Sequence, residues 1–105
     1  MYWRFIKPLP VFPPEEKYSL VDQIRRCSYS IPANIVEGHS KSTSRDFLRY
    51  LYISRGSIEE LKYFLLLSRD LNYINHEKYE KLLNMTNETS YLLNQFIRSI
   101  KPQQP

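Results

Sequence analysis

Apolar residues recur at intervals of three and four along three stretches of the chain, and each stretch is bounded by residues that start or stop a helix. In the first, Leu20, Ile24, Cys27, Ile31 and Ile35 form one apolar stripe. Pro14 suits a first helical position, Glu15 and Glu16 complement the positive end of the helix dipole, and Gly38 is a natural stop. A helix is predicted over about 14–38. In the second, Phe47, Leu51, Ser54, Ile58, Leu61, Leu65 and Ser68 form a seam, which Tyr50, Ile53, Ser57, Phe64 and Leu67 widen. Thr43 and Asp46 fit a capping box, so a helix over about 44–71 follows. In the third, Tyr79, Leu82, Leu83, Thr86, Thr89, Leu93, Phe96, Ile97 and Ile100 mark an inner side. Asn75 caps this last helix, predicted over about 75–100, and Pro102 ends it.

Short connections between long amphipathic helices make antiparallel neighbours the default. The whole chain, 1–105, therefore reads as one all-α, up-down bundle domain. Pro8, Pro10, Pro13 and Pro14 make residues 8–14 extended, and residues 101–105 form a tail expected to fray.

One stretch departs from the pattern. Ser30-Ile31-Pro32-Ala33-Asn34-Ile35-Val36-Glu37-Gly38 sets a proline and several polar groups inside the first helix. Proline there costs about 3 kcal/mol, since it removes a backbone donor and crowds the carbonyl four residues back. Ser28 and Ser30 are expected to offer hydroxyls to the disturbed backbone, with Asn34 and Glu37 one and two turns on. Gly56 is the second local cost, about 1 kcal/mol against Ala, and close approach of another backbone is the expected reason for it.

Composition narrows the class. Only two glycines in 105 residues disfavour a turn-rich β fold or a glycine-rich phosphate loop. The single cysteine, Cys27, excludes an internal disulfide framework and reads as a small core residue in a reducing, cytoplasmic setting. No run approaches the ~18 apolar residues of a membrane span, so no membrane partner is expected. A net charge of +4 makes an acidic partner plausible, nucleic acid before membrane.

The spaced motifs Gln23-Ile24-Arg25-Arg26, Ser30 to Gly38, and Phe47-Leu48-Arg49-Tyr50-Leu51-Tyr52-Ile53-Ser54-Arg55-Gly56-Ser57-Ile58-Glu59-Glu60-Leu61 resemble the four-helix-bundle family of 23S rRNA intervening-sequence proteins. The accessory proteins of diversity-generating retroelements belong to the same group. The resemblance runs from Phe12 onward and implies an antiparallel four-helix bundle, a ring-shaped homopentamer and a basic surface for nucleic acid in a bacterial protein. Val36 replaces the alanine that usually precedes Glu-Gly. The family also carries a helix of about twenty residues before the entry matched by Phe12 to Tyr18, whereas eleven residues with two prolines precede Phe12. Residues 1–13 thus read as a truncated first-helix remnant. Its loss would leave an apolar groove, covered by Tyr2, Trp3, Phe5, Ile6, Leu9, Val11 and Phe12 or by another chain.

Candidate chemistry is basic and aromatic. In a hairpin turning at His39 to Ser44, Arg25 and Arg26 fall at about the height of Arg55, and Arg45, Arg49, Tyr52 and Lys41 continue toward the turn. Together they form a candidate strip for phosphate contact and base stacking. The competing reading is a solvated face in which Asp46 pairs with Arg49, and Glu59 with Arg55 and Lys62. Glu37 is expected to pair with Arg45 or Arg49 and lock the turn. Asn34 either bridges to a neighbouring helix or subunit, or lines a pocket with Ser30 and Glu37. Enzymatic readings fail on inventory. Neither His39 nor His76 completes a Glu-x-x-His pair, there is no His/Cys cluster, no Arg-x-x-x-x-His pattern and no nucleophile with a base. No catalytic residue, metal or cofactor is expected. The reading reached is a non-enzymatic, oligomeric bundle that binds structured RNA or a nucleic-acid-processing partner, with a protein-recognising adaptor as the alternative.

Overall fold

The computed structural model of the chain describes residues 14–100. It contains three helices: α1 (Pro14–His39), α2 (Ser44–Asp70) and α3 (His76–Ile100). The first-helix remnant at 1–13 and the tail at 101–105 lie outside the described residues. The described residues form a three-helix, all-α arrangement, and the fourth helix of an antiparallel four-helix bundle is not among the described elements.

The middle helix carries the fold. α1 and α3 each pack along α2, and both run against its direction. Gly38 lies beside Phe47 while Ser30 meets Ser57, and Phe96 lies beside Phe47 while Tyr79 meets Arg69. Ile31, Leu48, Leu51, Ile58, Leu93 and Ile97 form the buried cluster, with Ile35, Phe47, Leu61 and Ile100 partly buried against it. Leu48, buried, was not on the predicted seam, and Ile53, expected to widen it, lies 46% exposed. A helix face about 100° wide accounts for both, since Leu48 sits nearer the α3 side of the seam and Ile53 beyond its opposite edge.

Local signals set the helix ends. Thr43 Oγ1 accepts from the Asp46 backbone N–H at 3.1 Å, while the Asp46 carboxylate does not close the reciprocal half of the capping box. Asn75 Oδ1 accepts from the Lys78 N–H at 2.7 Å and caps α3. At the end of α2, the Tyr73 N–H reaches the Ser68 carbonyl and the Asn72 N–H the Arg69 carbonyl. Asn72 takes the left-handed conformation, φ 63°, that this paired closure requires and that asparagine tolerates.

The polar seam between α1 and α2 corrects the sequence expectation. Ser28 Oγ donates only to its own helix, at the Ile24 carbonyl. The hydroxyl that reaches the backbone beside Pro32 comes from α2: Ser54, fully buried, donates to the Ile31 carbonyl at 2.8 Å. Pro32 itself is exposed, so solvent reaches the side of the helix on which it withholds an N–H. Ser30 Oγ lies 2.8 Å from Ser57 Oγ, and Asn34 Nδ2 donates to both the Ser30 carbonyl and its hydroxyl. The polar atoms of Ser30 and Asn34 are thereby used within the hairpin.

Gly38 is likewise corrected. It lies inside α1, one residue before the end, and its φ is not positive, so it does not act as a left-handed stop. Its role is space. A Cβ there would sit 2.8 Å from Phe47 Cδ1 and from Tyr50 Cβ, and 3.2 Å from the Phe47 carbonyl. Gly56 shows the opposite case, for nothing lies within 4 Å of an added Cβ. The close approach expected there is at Gly38 instead.

Ile31, Ile58, Leu61, Leu82, Met85, Thr86 and Thr89 line an apolar hollow of about 200 Å³ between α1 and α3. The side chains expected to cover an apolar groove of this bundle lie outside the described residues.

Two substitutions test the seam. Gly38→Ala should lower unfolding free energy by about 1–3 kcal/mol in denaturant titration, although helix propensity alone would raise it by about 1 kcal/mol. Ser54→Ala, which removes the hydroxyl from the Ile31 carbonyl, should cost about 1 kcal/mol, read as a lower denaturation midpoint at unchanged slope.

Candidate nucleic-acid interface

The start of α2 brings cations and tyrosines together. Arg45, Leu48, Arg49 and Tyr52 recur at helical spacing and line a shallow hollow of about 380 Å³. The Arg55 guanidinium lies 4.8 Å above the Tyr52 ring, and its Nη1 reaches Asn94 Oδ1 of α3 at 3.4 Å. Tyr50 carries two cations, Lys41 Nζ at 5.3 Å and the Arg49 guanidinium at 5.5 Å from its ring centre. Each such contact is favourable by about 0.5–1 kcal/mol when exposed. They also hold long side chains in place.

The turn before α2 is tied down by Glu37. Its carboxylate pairs with Lys41 at 3.2 Å, rather than with Arg45 or Arg49, because Lys41 follows it by four residues as the chain leaves α1. The Lys41 pKa is raised, first by this hydrogen bond and then by the charges of Tyr50 and Glu37. Lys41 therefore stays cationic throughout the neutral range.

Not every predicted cation joins this group. Arg25 lies 3.9 Å from Asp22 on exposed α1 surface, and Arg26 follows it about 100° around the helix. Among the described residues no hydrogen bond, ion pair or ring contact links either one to the Lys41–Arg55 group. Of the pairs expected for a solvated face, Glu59 with Lys62 forms at 3.3 Å, whereas Asp46 with Arg49 and Glu59 with Arg55 do not. Tyr50 was missed as part of the site. Its place directly after Arg49 in the sequence was the available signal, and the approach of Lys41 shows only in the structure.

Cys27 is the other side chain with intrinsic reactivity. It is buried, and its thiol pKa is raised above the ordinary value, first by burial and then by Glu60, against a smaller opposing effect of Arg26. Among the described residues no group of three or more His, Cys, Asp or Glu side chains is placed to hold a metal, and no helix is long and apolar enough to cross a membrane.

Residues 4–95 match the family described as 23S rRNA-intervening sequence protein. The chain belongs to this family. A crystal structure of an S23 ribosomal protein family member from Bacteroides thetaiotaomicron VPI-5482, described as a protein with unknown function, is similar at 32% identity and a TM-score of 0.74, covering 80% of this chain and 78% of that one. No functionally curated protein matches. Membership of the intervening-sequence protein family agrees with the three packed helices and with the spaced motifs.

The raised thiol pKa gives a signed prediction. Its stabilising contribution is present below the ordinary thiol pKa and is lost as pH rises through the raised folded value. At pH 8, Cys27 should react with a thiol reagent at least about tenfold more slowly in the native protein than in denaturant.

Proposed function

We propose that this intervening-sequence family protein is a non-enzymatic, oligomeric helical protein that binds structured RNA through the Lys41–Arg55 segment. The observation that carries the proposal is the continuous alternation of cations and aromatic faces: Lys41 and Arg49 on Tyr50, then Arg45, Arg49 and Arg55 around Tyr52. Guanidinium groups meet phosphate in paired geometry, and a tyrosine ring held between cations offers an unpaired base a stacking surface. The rRNA of the family description supports RNA as the acidic partner. The cytoplasm and the homopentameric ring belong to the same proposal, the latter by the resemblance of the motifs.

The adaptor alternative draws on a different observation. Tyr18, Tyr29 and Tyr91 stand 69%, 69% and 60% exposed, away from the α2 start, and tyrosine is enriched where proteins recognise one another. The absorbance ratio of protein purified at low salt separates the two readings, because only the first predicts nucleic acid that high salt removes.

Simultaneous Arg45→Glu, Arg49→Glu and Arg55→Glu substitution should weaken binding of an RNA hairpin at least about hundredfold and flatten the dependence of log affinity on log salt by ~0.7–0.9 per lost phosphate contact. Arg25→Glu should leave both nearly unchanged. Equal affinity and slope in the triple variant would refute the assignment.

A further inference from the structure

The outward side of α2 carries three features that lie apart from its packing on α1 and α3. Gly56 is exposed in mid-helix with nothing within 4 Å of its missing side chain, so the propensity it forfeits is not repaid by packing within the described chain. Tyr52 and Ile53 beside it are 37% and 46% exposed. To either side lie two shallow hollows of opposite charge, one lined by Arg45, Leu48, Arg49 and Tyr52, the other by Glu59, Glu60, Tyr63 and Phe64.

The arrangement is self-complementary. At about 100° per residue, Arg45, Arg49, Tyr52, Gly56, Glu60 and Tyr63 share one broad side of the helix. If a second α2 is laid antiparallel on that side, the basic hollow of each copy falls on the acidic hollow of the other. Arg49 then meets Glu60, Arg45 meets Tyr63, and Tyr52 lies over Gly56 of the second copy, where a larger residue would hold the helices apart. Among the described residues, neither Arg45, Arg49 nor Glu60 is engaged in an ion pair.

We propose that two copies of this chain pair through the outward faces of α2, about a two-fold axis close to Gly56. Such a contact is isologous, with each residue pair occurring twice. Through this contact copies associate in twos. On the reading of the Lys41–Arg55 segment as the RNA site, the second copy and RNA compete for Arg45, Arg49 and Tyr52, and pairing holds the site closed until RNA displaces it.

A charge swap read by sedimentation velocity and native mass spectrometry tests the contact. Arg49→Glu alone and Glu60→Arg alone should each halve the copy number at a concentration where the wild type is paired, weakening association at least about tenfold. The combined Arg49→Glu/Glu60→Arg variant should regain most of it, which a mere loss of folding would not produce. Gly56→Leu should also halve the copy number, with helical circular dichroism retained. Glu60→Arg should keep or improve RNA-hairpin affinity, so failure of the RNA reading would leave the pairing result intact. A wild type without a paired state, single reversals that leave the copy number unchanged, or a swap that restores nothing would overturn the proposal.

Discussion

The hydroxyl of Ser54 against the Ile31 carbonyl is the contact on which the remainder of the hairpin depends. It lies one residue before Pro32, inside the unbroken α1, and Ser54 is fully buried. A buried hydroxyl costs about 1–3 kcal/mol when unpaired, and here Ser54 finds its partner across the helix pair, which favours this register of α1. The Ser30–Ser57 contact and the Asn34 amide repeat the constraint one turn away. Gly38 then lets the helices stay close as they approach the turn. Small polar residues on α2 are thus matched to the polar irregularity of α1, whereas an all-leucine seam would allow sliding.

From this register follows the display at the turn. Glu37 leaves α1 in place to hold Lys41, and Lys41 reaches back over Tyr50, which packs beside Gly38. Arg49 meets the same ring, and Arg55 stands over Tyr52, which lies about 200° around the helix from Tyr50. On the proposed RNA reading, part of the conformational entropy that Lys41, Arg49 and Arg55 would lose on meeting phosphate is already lost in the free protein. Removing Gly38 or Ser54 would accordingly act on recognition as well as on stability, through the position of Tyr50.

Much of the fold was legible because helix signals are local and periodic. Pro14, Thr43 and Asn75 mark helix starts within a residue, and the stripes at Leu20 to Ile35 and Tyr79 to Ile100 identify the inner sides. The partners of polar groups were less legible. Nothing in α1 alone says that its backbone beside Pro32 is served by Ser54, which follows Ile31 by 23 residues, instead of by Ser28. The two glycines illustrate the same limit: both break propensity, yet only geometry shows that Gly38 faces Phe47 and Tyr50 while Gly56 faces open space. The arginines divide similarly. Spacing along one helix groups Arg45, Arg49 and Tyr52, which line one hollow, whereas the height of Arg25 on α1 carries no information about azimuth and its ion partner is Asp22 of the same helix.

The central claim is that a rigid α1–α2 seam presents one cation-and-tyrosine segment to RNA. The most direct measurement is a titration of isotopically labelled protein with a short RNA hairpin, following each backbone amide by NMR. The account predicts that the largest shifts fall between Lys41 and Arg55, that Asp22 to Arg26 and α3 beyond contact with Arg55 stay still, and that the seam around Ile31 and Ser54 keeps its chemical shifts. Shifts concentrated on α3 or around Arg25, or no saturable shifts at low salt, would contradict it.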